Sequence, residues 1–514
     1  MTIASASSTA THIALTTLFS AVQDAHLLNS TAGILGWDQE TMMPNGGAEL
    51  RSRQLAQLAR LSHETFTTPK MGEYIAAAED AVRSMPVDCA DAVNVREIRR
   101  DYDKATKLPS SLIAELAQTG SQAQHAWVEA RRDSDFKKFQ PWLEKTVKLN
   151  IQKAQCLGWP KGGEAWDALA DYYEPALTAA DVTKVFEPLR ARLQKLLDRI
   201  RGASKKPSNA FNEFALPIDS QEKFVRYMAK RIGFDFNCGR LDRSAHPFCG
   251  GSHSRDVRMT TRYTETCVFD ALGSTMHESG HGMYEQGLDF AQSGLPMGSA
   301  AGLSVHESQS RMWENQVGRS MHFWKWARPQ LSAFFGDACD HFTLEHLYQA
   351  ANVVEPGLIR VESDEATYNM HVMIRFQLER DMLNGDMAIK DLPGVWNKMY
   401  KDYLGVTVPD DRRGCLQDVH WSMGAIGYFP TYTLGTLLAA QLFEKARKDV
   451  PGLEEGFTRG EFAPLLSWLR KNVHSEGRRY RLDELCRKVT GEPLSADPMM
   501  RHLEAKLLPL YGLE

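Results

Sequence analysis

The sequence lacks paired cysteines. Its eight cysteines stand singly, at Cys89, Cys156, Cys238, Cys249, Cys267, Cys339, Cys415 and Cys486, and form no CxxC. A chain of 514 residues needs no disulfides to build a core, so this scatter is expected of reduced thiols in a cytoplasmic protein. A basic excess is also missing: Lys+Arg total 60 against 65 Asp+Glu, a net charge of -5. That balance gives no grip on a phosphate backbone and excludes nucleic acid as the main partner. The charges are mixed rather than blocked, which excludes an acidic or basic tail. The opening MTIASASSTATHIAL has no Lys or Arg and only a short apolar run, so no secretion signal is expected. The uncharged stretch 421–443 is broken by Gly424, Gly427, Pro430 and Gly435 and carries Ser422, Thr431, Tyr432, Thr433 and Thr436. Lipid would leave such a backbone unsatisfied. It predicts a buried loop entering a core helix, and no membrane partner.

What is present is globular: 43% hydrophobic, 24% charged and 9% aromatic residues. At ~150 residues per domain the length allows up to about three units, or one large one. Apolar residues recur at three- and four-residue spacing over 48–63, 71–85, 89–105, 109–131, 139–157 and 179–201, which predicts helices. No fixed-period repeat links them, which disfavours a solenoid. Breakers cluster at 202–212 (GASKKPSNAFN) and predict a loop after the N-terminal helical region. Asp256-Val257-Arg258-Met259-Thr260 alternates polar and apolar residues between Gly250-Gly251 and a Thr/Tyr-rich flank. This predicts a strand in a small sheet, with Asp256, Arg258 and Thr260 on one face.

His277-Glu278-Ser279-Gly280-His281 is an HExxH motif. On a helix beginning near Ser274, residues i and i+4 share a face, so both imidazoles reach one metal with Glu278 beside the open position. Chance would place such a motif in fewer than about 0.1 chains of this composition. Gly280 and Gly282 weaken the helix but allow close approach of a neighbouring segment or of substrate. A catalytic site of this kind needs a third protein ligand and leaves one position for water. Glu307, 26 residues after His281, is the candidate, because a small-residue loop over 291–305 permits two helices to pack together. Two alternatives stay open. Ser304-x-x-Glu307 also reads as a capping box, in which Glu307 binds the Ser304 amide. His306 is an adjacent rival ligand.

HESGH followed by HESQSR resembles the thermostable (Taq-type) HExxH zinc carboxypeptidase family. Further stretches look like that family's signatures: Asp256–Thr260 (DxRxT), Ile359-Arg360-Val361-Glu362-Ser363 (I/Y-R-x-x-A), Gly414–Trp421 (GxxQDxHW), Trp37-Asp38-Gln39-Glu40-Thr41 and Asp364-Glu365-Ala366-Thr367-Tyr368. Ser363 departs from the pattern, which has Ala there. The resemblance implies a mainly α fold: a single large helical domain over 1–514 with a deep active-site cleft and a small β-sheet at its wall, similar to neurolysin and angiotensin-converting enzyme. Within it the helical N-terminal region would span about 1–200 and the catalytic region about 245–435. It also implies a homodimer, and a zinc ion on His277, His281 and Glu307, with Co2+ or Mn2+ able to substitute. The implied activity is removal of C-terminal residues from peptides with a free C-terminus, with broad preference and poor tolerance of proline.

The chemistry then assigns further candidates. Zinc lowers the pKa of water and polarises the carbonyl, while Glu278 takes the water proton and delivers it to the leaving amine. His420 and Tyr428 are candidate oxyanion donors, as related helical peptidases place a His and a Tyr there; Tyr432 rivals Tyr428. A terminal carboxylate calls for an Arg fork. Arg360 is the first candidate, Arg258 the second and Arg413 the third. Gln417 is a candidate for binding substrate backbone, or with Asp418 for bracing the loop. Cys415 reads as structural, since no paired base accompanies it. Two rival readings remain: an oligopeptidase or dipeptidyl carboxypeptidase with the same chemistry, and a non-catalytic zinc-stabilised interaction protein, which would have no use for Glu278.

Overall fold

Apolar spacing becomes buried helix faces. The helix Ala179–Gly202 buries Val182, Phe186, Leu189, Leu193, Leu196 and Ile200, and the Thr178 hydroxyl caps it by accepting from the Asp181 amide at 3.2 Å. Thr68 and Asp135 cap the helices Pro69–Val82 and Phe136–Leu157 in the same way. In this computed structural model the backbone is described over residues 2–514 and side chains over 9–514. Each periodic segment is helical, including Ala48–Phe66, Ala90–Lys107 and Ser110–Asp133. The fold is mainly helical with one small sheet.

The chain forms two compact units, each assembled from three stretches. The first comprises Met1–Thr106, Ala210–Tyr348 and Leu442–Pro493, and the second Lys107–Asn209, Gln349–Gln441 and Leu494–Glu514. A crossing between them falls at 209/210, inside the breaker-rich segment 202–212.

In the first unit a helix, Thr2–Thr41, packs its Leu15, Leu18 and Val22 against Met71, Ile75, Ala78, Val95 and Ile98. The same unit holds a three-stranded sheet of β1 (Gly239–Arg243), β2 (Cys249–His253) and β3 (Asp256–Thr261) in the order β1-β3-β2. β3 is the central strand, parallel to β1 and antiparallel to β2. The alternation read from the sequence holds as far as Met259: Val257 and Met259 are buried, while Asp256 and Arg258 lie on the half-exposed face. Thr260, expected with them, is fully buried, its hydroxyl accepting from the Phe248 amide at 3.0 Å. Gly250-Gly251 is not a flank but part of β2.

The second unit carries the helices Ala165–Ala170, Tyr368–Asn384 and Leu392–Leu404. The uncharged stretch behaves as expected: a short turn, His420–Met423, leads through a loop into Pro430–Asp449, where Leu437, Leu438 and Ala439 are fully buried. Among the described residues no helix is long and apolar enough to cross a membrane.

Candidate active site

The HExxH motif lies on the helix Val268–Glu285, which begins two turns earlier than its sequence suggested. Cys267, at φ 62°, sets its start. Gly280 is where this helix meets the helix Leu303–Arg311. A Cβ there would fall 2.5 Å from the Gln309 carbonyl oxygen, so only glycine permits the contact. Gly282 plays the same part toward Phe234, 2.7 Å from its own Cβ position. The close approach expected of these glycines is therefore helix packing.

That packing brings Glu307 to the histidines. Its Oε2 lies 3.5 Å from His277 Nε2 and 3.4 Å from His281 Nε2. The three ligand atoms lie within 4.8 Å of one another, close enough to hold one metal ion. The capping-box alternative fails on geometry. The N-cap is Gly302 rather than Ser304, which places Glu307 in the second turn, its Oε1 held by Arg311 Nε at 2.7 Å. His306 is not a ligand of this group: its Nε2 lies 2.8 Å from Glu285 Oε1.

The remaining ring nitrogens also have partners. His277 Nδ1 lies 2.9 Å from Glu314 Oε2, and His281 Nδ1 lies 3.1 Å from the His306 carbonyl and 2.5 Å from His306 Nδ1. With Nδ1–H donated to the Glu314 carboxylate and to the His306 carbonyl, the neutral form of each ring would turn its Nε2 lone pair to the centre. Glu314 sits on a π-helical turn, Met312–Gly318, that continues the Glu307 helix, and Arg311 reaches it at 3.2 Å.

Electrostatics agree with a cation site. Burial alone would raise Glu307, but Arg311 and then the two histidines hold it well below the usual carboxylate range. Glu314 falls to about 2 against its own burial, drawn down by Arg311 and His277. Burial, helped by His306, lowers His281 to about 3, so it is neutral, as a metal ligand must be. His277 is raised despite burial, because Glu307 and Glu314 flank it. Burial pushes Glu278, only 6% exposed, up to about 7, a range suited to taking and returning a proton.

The other candidates fall into two groups. Arg258 belongs to the first unit. Asp256 holds it at 2.9 Å and it stacks 4.8 Å from the Trp37 ring, which joins two of the signature stretches. The rest lie in the second unit. His420 and Tyr428 have ring centroids 5.2 Å apart, and Tyr432 stands 5.3 Å from Tyr428. Arg360, 4% exposed, gives Nε and one terminal nitrogen to Asp418 Oδ1 at 3.1 and 2.9 Å, and the other to the Tyr368 hydroxyl at 2.9 Å. Arg375 grips the second oxygen of Asp418 at 2.7 Å. Gln417 accepts from the Arg360 amide at 2.9 Å and donates to the Leu358, Arg413 and Gly414 carbonyls, which is bracing geometry. Arg413 is exposed and paired with Asp410. Cys415 is buried, and burial pushes its thiol up, as for a structural cysteine.

Two functional candidates escaped the sequence. Glu314 left only a trace, an acidic residue three beyond Arg311 and seven beyond Glu307, and the π turn that aims it has no sequence signal. Glu379, wholly buried, accepts from Trp166, Trp421 and Gly427, each at 3.0 Å, and left none.

Known proteins share this architecture. Residues 17–507 match the family described as Carboxypeptidase Taq (M32) metallopeptidase. Thermostable carboxypeptidase 1 of Thermus thermophilus is 44% identical over 492 residues, 94% of this chain and 96% of that protein. Carboxypeptidase 1 of Bacillus subtilis is 34% identical over 94% of this chain and 96% of that protein. The crystal structure of the M32 carboxypeptidase from Deinococcus radiodurans superposes with a TM-score of 0.92 at 39% identity, covering 98% of this chain and 100% of that one. A match across nearly the whole length, with the HExxH histidines and Glu307 converging in space, leads to one conclusion: the chain belongs to the Carboxypeptidase Taq (M32) metallopeptidase family and is a metallocarboxypeptidase.

Proposed function

We propose that His277, His281 and Glu307 hold a single zinc ion and that Glu278 is the general base and acid of C-terminal residue removal. The observation that carries this reading is the pair of Nε2 atoms facing Glu307 while both Nδ1 atoms are engaged elsewhere. Two neutral imidazoles and a carboxylate suit zinc, and Co2+ or Mn2+ substitute on the same donors. When bound, the metal supplies Lewis-acid polarisation of the carbonyl and a water of lowered pKa. Glu278 would take a proton from the attacking water at its carboxylate and give it to the departing amine. Its burial keeps the proton from leaking to solvent between the two transfers.

In the same reading His420 and Tyr428 donate hydrogen bonds to the oxyanion. Arg360 anchors the substrate's terminal carboxylate, with Arg258 as the second choice. Of the five N–H donors of Arg360, three have the partners named above, which leaves two for a ligand. Gln417 supports it through the Arg360 backbone. The substrates are peptides with a free C-terminus, of broad sequence. All eight cysteines are free, in keeping with a cytoplasmic protein, and family likeness supports a homodimer.

Product analysis on an N-blocked pentapeptide tests the reading. Stepwise release of single C-terminal residues, abolished by chelation and by C-terminal amidation, is the expected result. Release of dipeptides would mark a dipeptidyl carboxypeptidase.

A further inference from the structure

Among the buried carboxylates of the second unit that the chemistry above does not use, Glu379 touches the loop of the two candidate oxyanion donors. Glu379 is fully buried on the helix Tyr368–Asn384. Its Oε1 accepts from the Trp421 indole at 3.0 Å, and its Oε2 accepts from the Trp166 indole and the Gly427 amide, both at 3.0 Å. Trp421 directly follows His420, and Gly427 directly precedes Tyr428. One side chain therefore ties both ends of the loop that carries the two candidate oxyanion donors. Gly427 itself is fixed. Its φ is +93° and a Cβ would lie 2.6 Å from the Ala170 amide nitrogen, so the loop rests directly on the helix Ala165–Ala170. The loop closes on itself as well, the Ala425 amide donating to the His420 carbonyl at 2.9 Å. Tyr173 holds Tyr428 from one side, edge to face at 5.1 Å.

A carboxylate without partners here would carry a large desolvation cost. Three N–H donors offset that cost, and two of them come from the two ends of the loop. We infer that Glu379 is a positioning residue, which sets the separation of His420 and Tyr428 by clamping Trp421 and Gly427. This inference rests on the assignment of His420 and Tyr428 as oxyanion donors. Its consequence falls on turnover rather than on substrate affinity, because the donors act where charge develops. Glutamine at 379 fits the space but has only one acceptor oxygen. Whichever way its amide turns, at least one N–H of the loop or of Trp166 faces another N–H.

The test uses the full-length, metal-loaded enzyme. Glu379→Gln is expected to lower kcat by at least about ten-fold with KM changed by less than about three-fold, while metal stoichiometry is retained. Amide hydrogen exchange is expected to quicken over 420–429. In a Tyr428→Phe background the Glu379→Gln loss should shrink to under about three-fold, since the two act through one group. Trp166→Phe removes a donor that is not part of the loop, and its kcat is expected to stay within about two-fold. Should Glu379→Gln fail to fold, Trp421→Phe breaks one clamp and takes the same measurements. Unchanged kcat, or an equal loss in both backgrounds, would overturn the inference. If Tyr428→Phe and His420→Ala leave kcat intact, the oxyanion assignment is what fails, and unchanged exchange over 420–429 in Glu379→Gln would then refute the clamp itself.

Discussion

His277 Nδ1 lies 2.9 Å from the carboxylate of Glu314, seven residues beyond the candidate ligand Glu307. The bond selects the tautomer that leaves Nε2 for the metal, and its charge raises the basicity of the ring. Arg311 sits between the two carboxylates, at 2.7 Å from Glu307 and 3.2 Å from Glu314, and keeps both ionised. Glu314→Ala should therefore weaken metal affinity by about 10–100-fold without moving the first three ligands. Competition with a chromogenic chelator measures this directly, and an unchanged affinity would show that His277 needs no such partner.

In the proposed mechanism Glu278 separates metal binding from catalysis. Glu278→Gln should keep one metal per chain, measured by mass spectrometry of the purified protein. It should lower kcat by about 100- to 10,000-fold, the usual share of a general base. A metal-loaded variant with undiminished turnover would remove Glu278 from the mechanism.

Asp418 is shared by Arg360 and Arg375, so two buried guanidinium charges depend on one carboxylate. Asp418→Asn strands two guanidinium groups and should cost on the order of 3–5 kcal/mol of stability. Arg360→Met leaves a neutral Asp418–Arg375 pair and should cost less. It should nevertheless lose the preference for free over amidated C-termini if Arg360 is the anchor. Denaturant titration of both variants gives the order, and a larger loss for Arg360→Met would contradict it.

His474, 1% exposed, donates from Nε2 to Gln309 at 3.0 Å, and burial lowers it to about 3. The folded state keeps it neutral, while the unfolded chain protonates it near 6.5. Its contribution to stability is therefore complete above pH 6.5 and is lost as pH falls from 6.5 towards 3. The stability gap between wild type and His474→Gln should narrow by about 2–3 kcal/mol between about pH 7.5 and about pH 4.5. A gap that stays constant would show that His474 titrates normally.

What could be read beforehand followed physical periodicity. The i, i+4 histidines, the alternation of β3 and the uncharged 421–443 stretch each express one local rule, and each is realised, the alternation only as far as Met259, since Thr260 is buried. The convergence of Glu307 was ambiguous, because a capping box and a ligand share one spacing; the N-cap at Gly302 decides it. β1 was not legible, since its parallel pairing with β3 depends on a segment 17 residues earlier and not on local pattern. The helix Thr2–Thr41 carries no charge before Asp24 and has little contrast between its faces, so no stripe announces it. Glu379 and Glu314 gain their roles only from what tertiary packing sets against them.

The most direct measurement is anomalous scattering at the zinc edge from crystals of the active enzyme. One peak bounded by His277 Nε2, His281 Nε2 and a Glu307 carboxylate oxygen is the predicted result. A peak elsewhere, or a metal on this pair with Glu307 bound only to Arg311, would contradict the account.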